Sequence, residues 1–184
     1  MLIGVVLSVV LVGCSSGATK TVETIPATTT TKVSICDPLQ DCTKAQLQGA
    51  QLSGAQLQGA KLSGANLEGA QLTGANLSFA NLTFANLTGA NLTGADLTGA
   101  YLTDANLERA NLTGANLNNA DLSFAYMSLA YMINADLRGA ELTETNMGST
   151  NLRGANLRGA KGTPHFLEMA NLTDAIMPDG TKHD

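Results

Sequence analysis

From Ala45 onward the chain counts in fives. Leucine stands at Leu47, Leu52, Leu57, Leu62 and Leu67 and keeps that spacing, with few breaks, as far as Leu172. An alanine precedes each leucine by two positions, as in Ala65-Asn66-Leu67 and Ala95-Asp96-Leu97. Neither a helix of period 3.6 nor a long strand of period 2 holds residues five apart on one face. A short extended run followed by a corner does. Within the run, Ala and Leu point to one side and the residue between them points away.

The corner has its own chemistry. Leu-Thr-Gly-Ala reads as a type II β-turn, whose third residue needs a positive φ that glycine reaches without strain. Glycine recurs in that slot, for example at Gly49, Gly54, Gly89 and Gly94. If each corner is roughly a right angle, four pentads close a square and about twenty residues make one coil. Coils then stack about 4.8 Å apart through parallel backbone pairing. Repeats of this kind cannot bury their apolar side alone, so they stack into a solenoid.

The pattern Ala-Asn/Asp-Leu-Thr/Ser-Gly resembles the pentapeptide-repeat proteins. That resemblance implies an all-β fold, a right-handed quadrilateral parallel β-helix filled by Leu and Ala. The five-residue register runs from Ala45 to Asp179 without insertion or deletion, and Ala175-Ile176-Met177-Pro178-Asp179-Gly180 is similar to a common ending of such domains. A leucine-rich repeat is excluded, since it needs a period of 20–29. Disorder is excluded by the regular leucines and a hydrophobic content of 44%. Aromatics make up only 4% of the chain, as suits a bore lined by small aliphatic residues. By this register Leu97 points inward, while Thr98 lies on an outer corner where alanine should cost less than about 0.5 kcal/mol.

Residues 1–13 read as a signal peptide. The apolar run Leu2 to Gly13 is too short for a membrane-spanning helix, which needs about 20 residues. It ends in Leu11-Val12-Gly13-Cys14, which resembles the lipobox of bacterial lipoproteins and implies cleavage and acylation, as by palmitate, at Cys14. One departure is that no Lys or Arg precedes Cys14, although a signal peptide opens with positive charge. The other reading is an apolar N-terminus that is never processed. Residues 14–34, rich in Ser and Thr, cannot bury enough apolar surface to offset chain entropy and read as a solvated stalk.

Cys36 and Cys42 fall in a cap at 35–44, ahead of the repeat domain at 45–179 and a tail at 180–184. In an exported protein two such cysteines form a disulfide; free thiols are the alternative. The clip would close the open end of the first coil, with Ile35 and Leu39 over it.

Catalytic chemistry is not found. His165 and His183 pair with no nucleophile by spacing, and the glycines recur as corners rather than as a phosphate loop. Asp179, His183 and Asp184 on a frayed terminus do not make a metal site. No enzyme activity, cofactor or metal is expected.

Function should therefore lie on the outer surface. Pentads counted modulo four place Ser63, Thr83, Thr103, Ser123, Thr143 and Thr163 in one hydroxyl ladder, Glu68, Glu108 and Glu168 on the adjacent face, and Arg138 with Arg158 on another. The sharper break is aromatic. Phe79, Phe84, Phe124 and Leu129 replace corner glycines, and Tyr101, Tyr126 and Tyr131 stand at outward mid-face positions. Phe84, Phe124, Tyr126, Leu129, Tyr131 and Ile133 form a candidate interaction belt. Either the belt binds a protein, or the rings only seal neighbouring corners. Bulky corners should adopt turn types other than type II, which tolerate side chains.

Two functions follow. One is a non-enzymatic, lipid-anchored monomer displayed outside the cytoplasmic membrane, held there by acylated Cys14, and serving as a rigid scaffold or protein-interaction module. The alternative is a cytosolic DNA mimic, since some pentapeptide-repeat proteins resemble duplex DNA and bind gyrase or topoisomerase. Between Ala45 and Asp179 eleven acidic residues face six basic ones, a net of −5. That is far sparser than duplex DNA, with one charge per about 1.7 Å. The C-terminal stretch also lacks the helix through which such mimics dimerise. Nucleic acid is not an expected partner.

Overall fold

The computed structural model describes residues 41–184, together with two short segments near the N-terminus. Those segments, β1 (Val9–Val10) and β2 (Thr24–Ile25), pair antiparallel. Cys14, Cys36, Ile35, Leu39 and nearly all of the expected signal peptide and stalk lie outside the described residues.

Residues 41–184 form a four-sided parallel solenoid with twenty residues to the coil. Gln46 bridges Asn66, Gln51 bridges Gln71, Gln56 bridges Asn76 and Lys61 bridges Asn81, all parallel. The same offset continues up the molecule to Glu141 and Lys161. Each face contributes a single bridged residue, because corners on both sides bend the chain away before a second can pair. The β structure is thus a stack of one-residue rungs rather than of extended strands.

Backbone accounting explains the choice of residue at each place. In Ala90-Asn91-Leu92-Thr93-Gly94 the Ala90 N–H donates to Leu87 C=O at 2.9 Å and closes the preceding turn. Asn91 N–H reaches down to Ala70 C=O at 2.9 Å, and Leu92 N–H reaches up to Asn111 C=O at 2.7 Å. Gly94 N–H donates to Thr113 C=O at 3.0 Å. Only the Thr93 amide is left over, and Asn91 Oδ1 accepts it at 3.2 Å. This is why Asn and Asp dominate the outward position: a short side-chain acceptor serves an amide the ladder does not use. Glutamine does not fill this role, and Gln51 instead donates to Gly49 C=O at 3.1 Å.

Inside, Leu and Ala stack with essentially no exposure from Leu57 to Ala140, as the five-count predicts. Met127, Met132 and Met147 take leucine places. Thr145 and Thr150 take alanine places, and their hydroxyls donate to Leu122 C=O at 2.8 Å and Met127 C=O at 2.9 Å. Burial of each leucine contributes about 1.5–3 kcal/mol.

Four expectations need correction. First, among the described residues the ladder already includes Asp41, ahead of Ala45. Asp41 bridges Lys61, Cys42 is buried in a leucine place, and Lys44 is the corner.

Second, the bulky corners do not change turn type. Phe79, Phe84, Phe124 and Leu129 have φ of 57°, 60°, 61° and 62°, beside 64° at Gly89. The turn-closing Ala N–H bond recurs at each, to Leu77, Leu82, Leu122 and Met127 C=O, so the stack imposes the left-handed corner whatever the side chain. A non-glycine residue there costs about 1–2 kcal/mol.

Third, the register is not continuous in space. Asn146 bridges His165, nineteen residues on, before Asn151 bridges Asn171 at twenty. Gly162 occupies a leucine place and has nothing to fill the bore, while Pro164 has no N–H to donate. The residue is regained in the 3-10 helix Leu167–Met169, entered through Phe166 at φ 59°. Glu168 therefore sits on this helix, and Thr163 closes the hydroxyl ladder at the irregular coil.

Fourth, the C-terminus is not frayed. Lys182 bridges Ile176 antiparallel, His183 N–H donates to Ala175 C=O at 2.8 Å, and Lys182 Nζ meets Asp174 Oδ1 at 2.6 Å. The returning tail covers part of the last coil's exposed edge.

Candidate functional site

The coil offset brings most of the predicted belt together. Phe84 and Phe124 share one edge two coils apart, with Asp104 between them, and Tyr126 stands on the adjoining face. Leu129 lies at the far corner of that face. Tyr131 and Ile133 continue onto the next face, so the belt wraps two sides of one coil. Phe84, Phe124, Tyr126, Leu129 and Tyr131 are exposed, and Ile133 is half-buried.

The alternative of corner sealing fits one ring. Phe79 lies over Gly99, where an added Cβ would meet the ring at 2.7 Å. Phe84 has no glycine above it; the next corner on its edge is Asp104. Instead it is one wall of a shallow groove of about 350 Å³. Ala85, Asn86, Asp104, Asn106, Glu108 and Tyr126 supply the rest of the lining. Phe124, Leu129, Tyr131 and Ile133 do not line it. Sequence reasoning placed Glu108 on an outer face but did not join it to the belt, and it did not single out Asp104 or the two asparagines. The coil offset was enough to find them, since Asp104 falls one coil above Phe84 on one edge, and Asn86, Asn106 and Tyr126 fall on successive rungs of the adjoining face.

The belt tyrosines also break the capping rule. Tyr126 and Tyr131 stand where Asn or Asp would accept the amide two residues on, from Ser128 and Ile133. A side-chain hydrogen bond of this type contributes about 0.5–1.5 kcal/mol, and the phenol cannot reach back to replace it. Beneath them lie Met127 and Met132 in place of leucine.

Elsewhere the outer wall is occupied by internal pairs. Arg138 forms a two-pronged ion pair with Asp136, at 2.9 and 2.7 Å; hydrogen bonding to the guanidinium lowers the Asp136 pKa. His165 Nε2 pairs with Glu144 and stacks obliquely on Phe166. At Asp121, burial pushes the pKa up, but bonds from Ser123 and the Thr103 hydroxyl outweigh it and leave the pKa lowered. A lowered carboxylate pKa adds stability above the unfolded value and loses it as pH falls through the folded value. Folding stability should therefore decline below about pH 4. In Asp121→Asn, which keeps an acceptor oxygen, part of that decline should vanish, as urea midpoints at pH 3 and pH 6 will read.

Among the described residues no three His, Cys, Asp or Glu side chains are placed to hold a metal ion. No helix among them is long and apolar enough to cross a membrane. Cys42 is buried and partnered.

Four-sided coils with a Leu-Ala bore and one Asx acceptor per pentad define a pentapeptide solenoid. The model for pentapeptide repeats matches this chain in eight copies, over residues 41–78, 80–119, 95–132 and 120–159. The chain belongs to the pentapeptide-repeat family, which implies right-handed winding and is generally structural or interactive rather than catalytic.

Among solved structures it is similar to a pentapeptide repeat protein of the Arabidopsis thaliana thylakoid lumen, at 36% identity and a TM-score of 0.43. That match covers 54% of this chain and 66% of the other. HetL of the cyanobacterium Nostoc sp. strain PCC 7120, involved in heterocyst differentiation regulation, is 33% identical over 78% of each chain, at a TM-score of 0.32. QnrB1, a plasmid-mediated fluoroquinolone resistance protein, is 21% identical over 72% of this chain and 67% of its own, at a TM-score of 0.45. The family model carries the assignment, not these superpositions. No curated protein matches the chain.

Proposed function

We propose that this protein is a non-enzymatic solenoid, lipid-anchored outside the cytoplasmic membrane, that binds a protein partner through its aromatic belt. The observation that carries the reading is the cluster of broken rules on one coil. Phe124 and Leu129 hold left-handed corners without glycine, and Tyr126 and Tyr131 displace capping residues. Each departure costs stability, none fills the bore, and all of them put exposed apolar surface on two adjoining faces.

The anchor rests on Leu11-Val12-Gly13-Cys14. A Cys36–Cys42 disulfide belongs to the same reading: Cys42 points into the first coil, so a bridge there would plug the open end of the bore. Against a DNA mimic stands the sparse outer charge, a net of −5 between Ala45 and Asp179, where duplex DNA carries one charge per about 1.7 Å.

The test is cross-linked capture from membranes. Phe124→Gly with Tyr126→Asn restores the consensus pentad and should abolish capture without lowering the melting temperature. Cys14→Ser should remove the protein from the detergent phase. Capture that survives the double substitution would leave a structural spacer, and unchanged partitioning of the cysteine variant would reject lipidation.

A further inference from the structure

We infer that the groove between Phe84 and Tyr126 receives a cationic side chain, arginine or lysine, from a protein partner. This deepens the belt reading and rests on it. The groove spans three successive coils. Phe84, 64% exposed, forms one wall, and Tyr126, 50% exposed, forms the other. Asp104 and Glu108 flank the coil between them, with Asn86 and Asn106 on the face below and beside.

Charge decides the occupant. Three carboxylates on the wall have cationic partners: Asp136 takes Arg138, Glu144 takes His165, and Asp174 takes Lys182; of those without one, Asp104 and Glu108 are the two that line this groove. Asp104 and Glu108 have no ion-pair partner among the described residues. The nearest cation in sequence, Arg109, stands exposed at the next corner, outside the lining, and forms no ion pair among the described residues. Two unpaired carboxylates between two exposed rings make a site that attracts positive charge and presents ring faces to it. An anion would meet only repulsion, and a purely apolar segment would strand both carboxylates.

The test uses a fluorescein-labelled peptide of alternating glycine and arginine, with its citrulline counterpart, against the purified full-length protein. Binding should weaken at least tenfold for the citrulline peptide and for Asp104→Asn with Glu108→Gln, and should fall with added salt. Amide shifts in a 15N spectrum should centre on Asn86, Asn106 and Tyr126. Phe84→Gly, which suits the left-handed corner, should weaken binding without unfolding. No binding, equal binding to the charge variant, or shifts spread over all faces would overturn the inference. The two readings separate in membrane capture. If the charge variant captures as well as wild type while Phe124→Gly with Tyr126→Asn does not, the belt stands and the cation site falls.

Discussion

Leu97→Ala is expected to lower folding stability by about 2–5 kcal/mol. Leu97 is completely buried, and its amide bridges up to Asn116 C=O at 2.7 Å, so the rungs hold the emptied bore open. Neighbouring coils are rigidly stacked and cannot collapse into the space, which places the loss toward the upper end. Thr98→Ala provides the contrast. The pentad pattern alone puts its cost under about 0.5 kcal/mol, but the structure raises that figure. Thr98 Oγ1 donates to Asp96 Oδ1 at 2.6 Å and accepts from Asn116 Nδ2 at 2.8 Å, linking two coils. Losing these bonds should cost about 0.5–1.5 kcal/mol. Urea unfolding of both variants checks the ranking, and a larger loss for Thr98→Ala would mean the inward and outward positions are exchanged.

The fold was open to sequence reading because one constraint repeats many times. A leucine every fifth residue admits one kind of coil, and the coil offset then places every outward residue on a face. Phe84 and Phe124 fell on one edge as expected for this reason. What escaped was whatever the repeat unit does not encode by itself. The left-handed corner was inferred from glycine, so its persistence at Phe124 and Leu129 was not foreseen; the stacked coils enforce it, not the residue. Cys42 was read as part of a cap because cysteine is not leucine, although it fills the same place. The groove around Asp104 and Glu108 depends on side chains from three coils, and a pattern confined to one pentad does not display that.

Gly162→Ala is expected to be as damaging as a core truncation, at about 2–5 kcal/mol, although the residue is exposed. Its φ of 84° disfavours any side chain, which contributes about 1–2 kcal/mol. An added Cβ would also lie 2.5 Å from Thr143 N and 2.7 Å from its Cα. That neighbour is backbone fixed in the coil below, and overpacking of this kind costs about 1–3 kcal/mol. Gly162 stands where the pentad pattern calls for a leucine, so no side chain holds the two coils apart there. Gly89→Ala isolates the dihedral contribution. Its φ is 64°, with nothing within 4 Å of the new methyl, so its loss should be about 1 kcal/mol after the gain from a stiffer unfolded chain. Denaturation midpoints of the two variants separate strain from contact. Equal losses would mean that the chain at Gly162 is not seated on Thr143, and that the register slip at His165 has another cause.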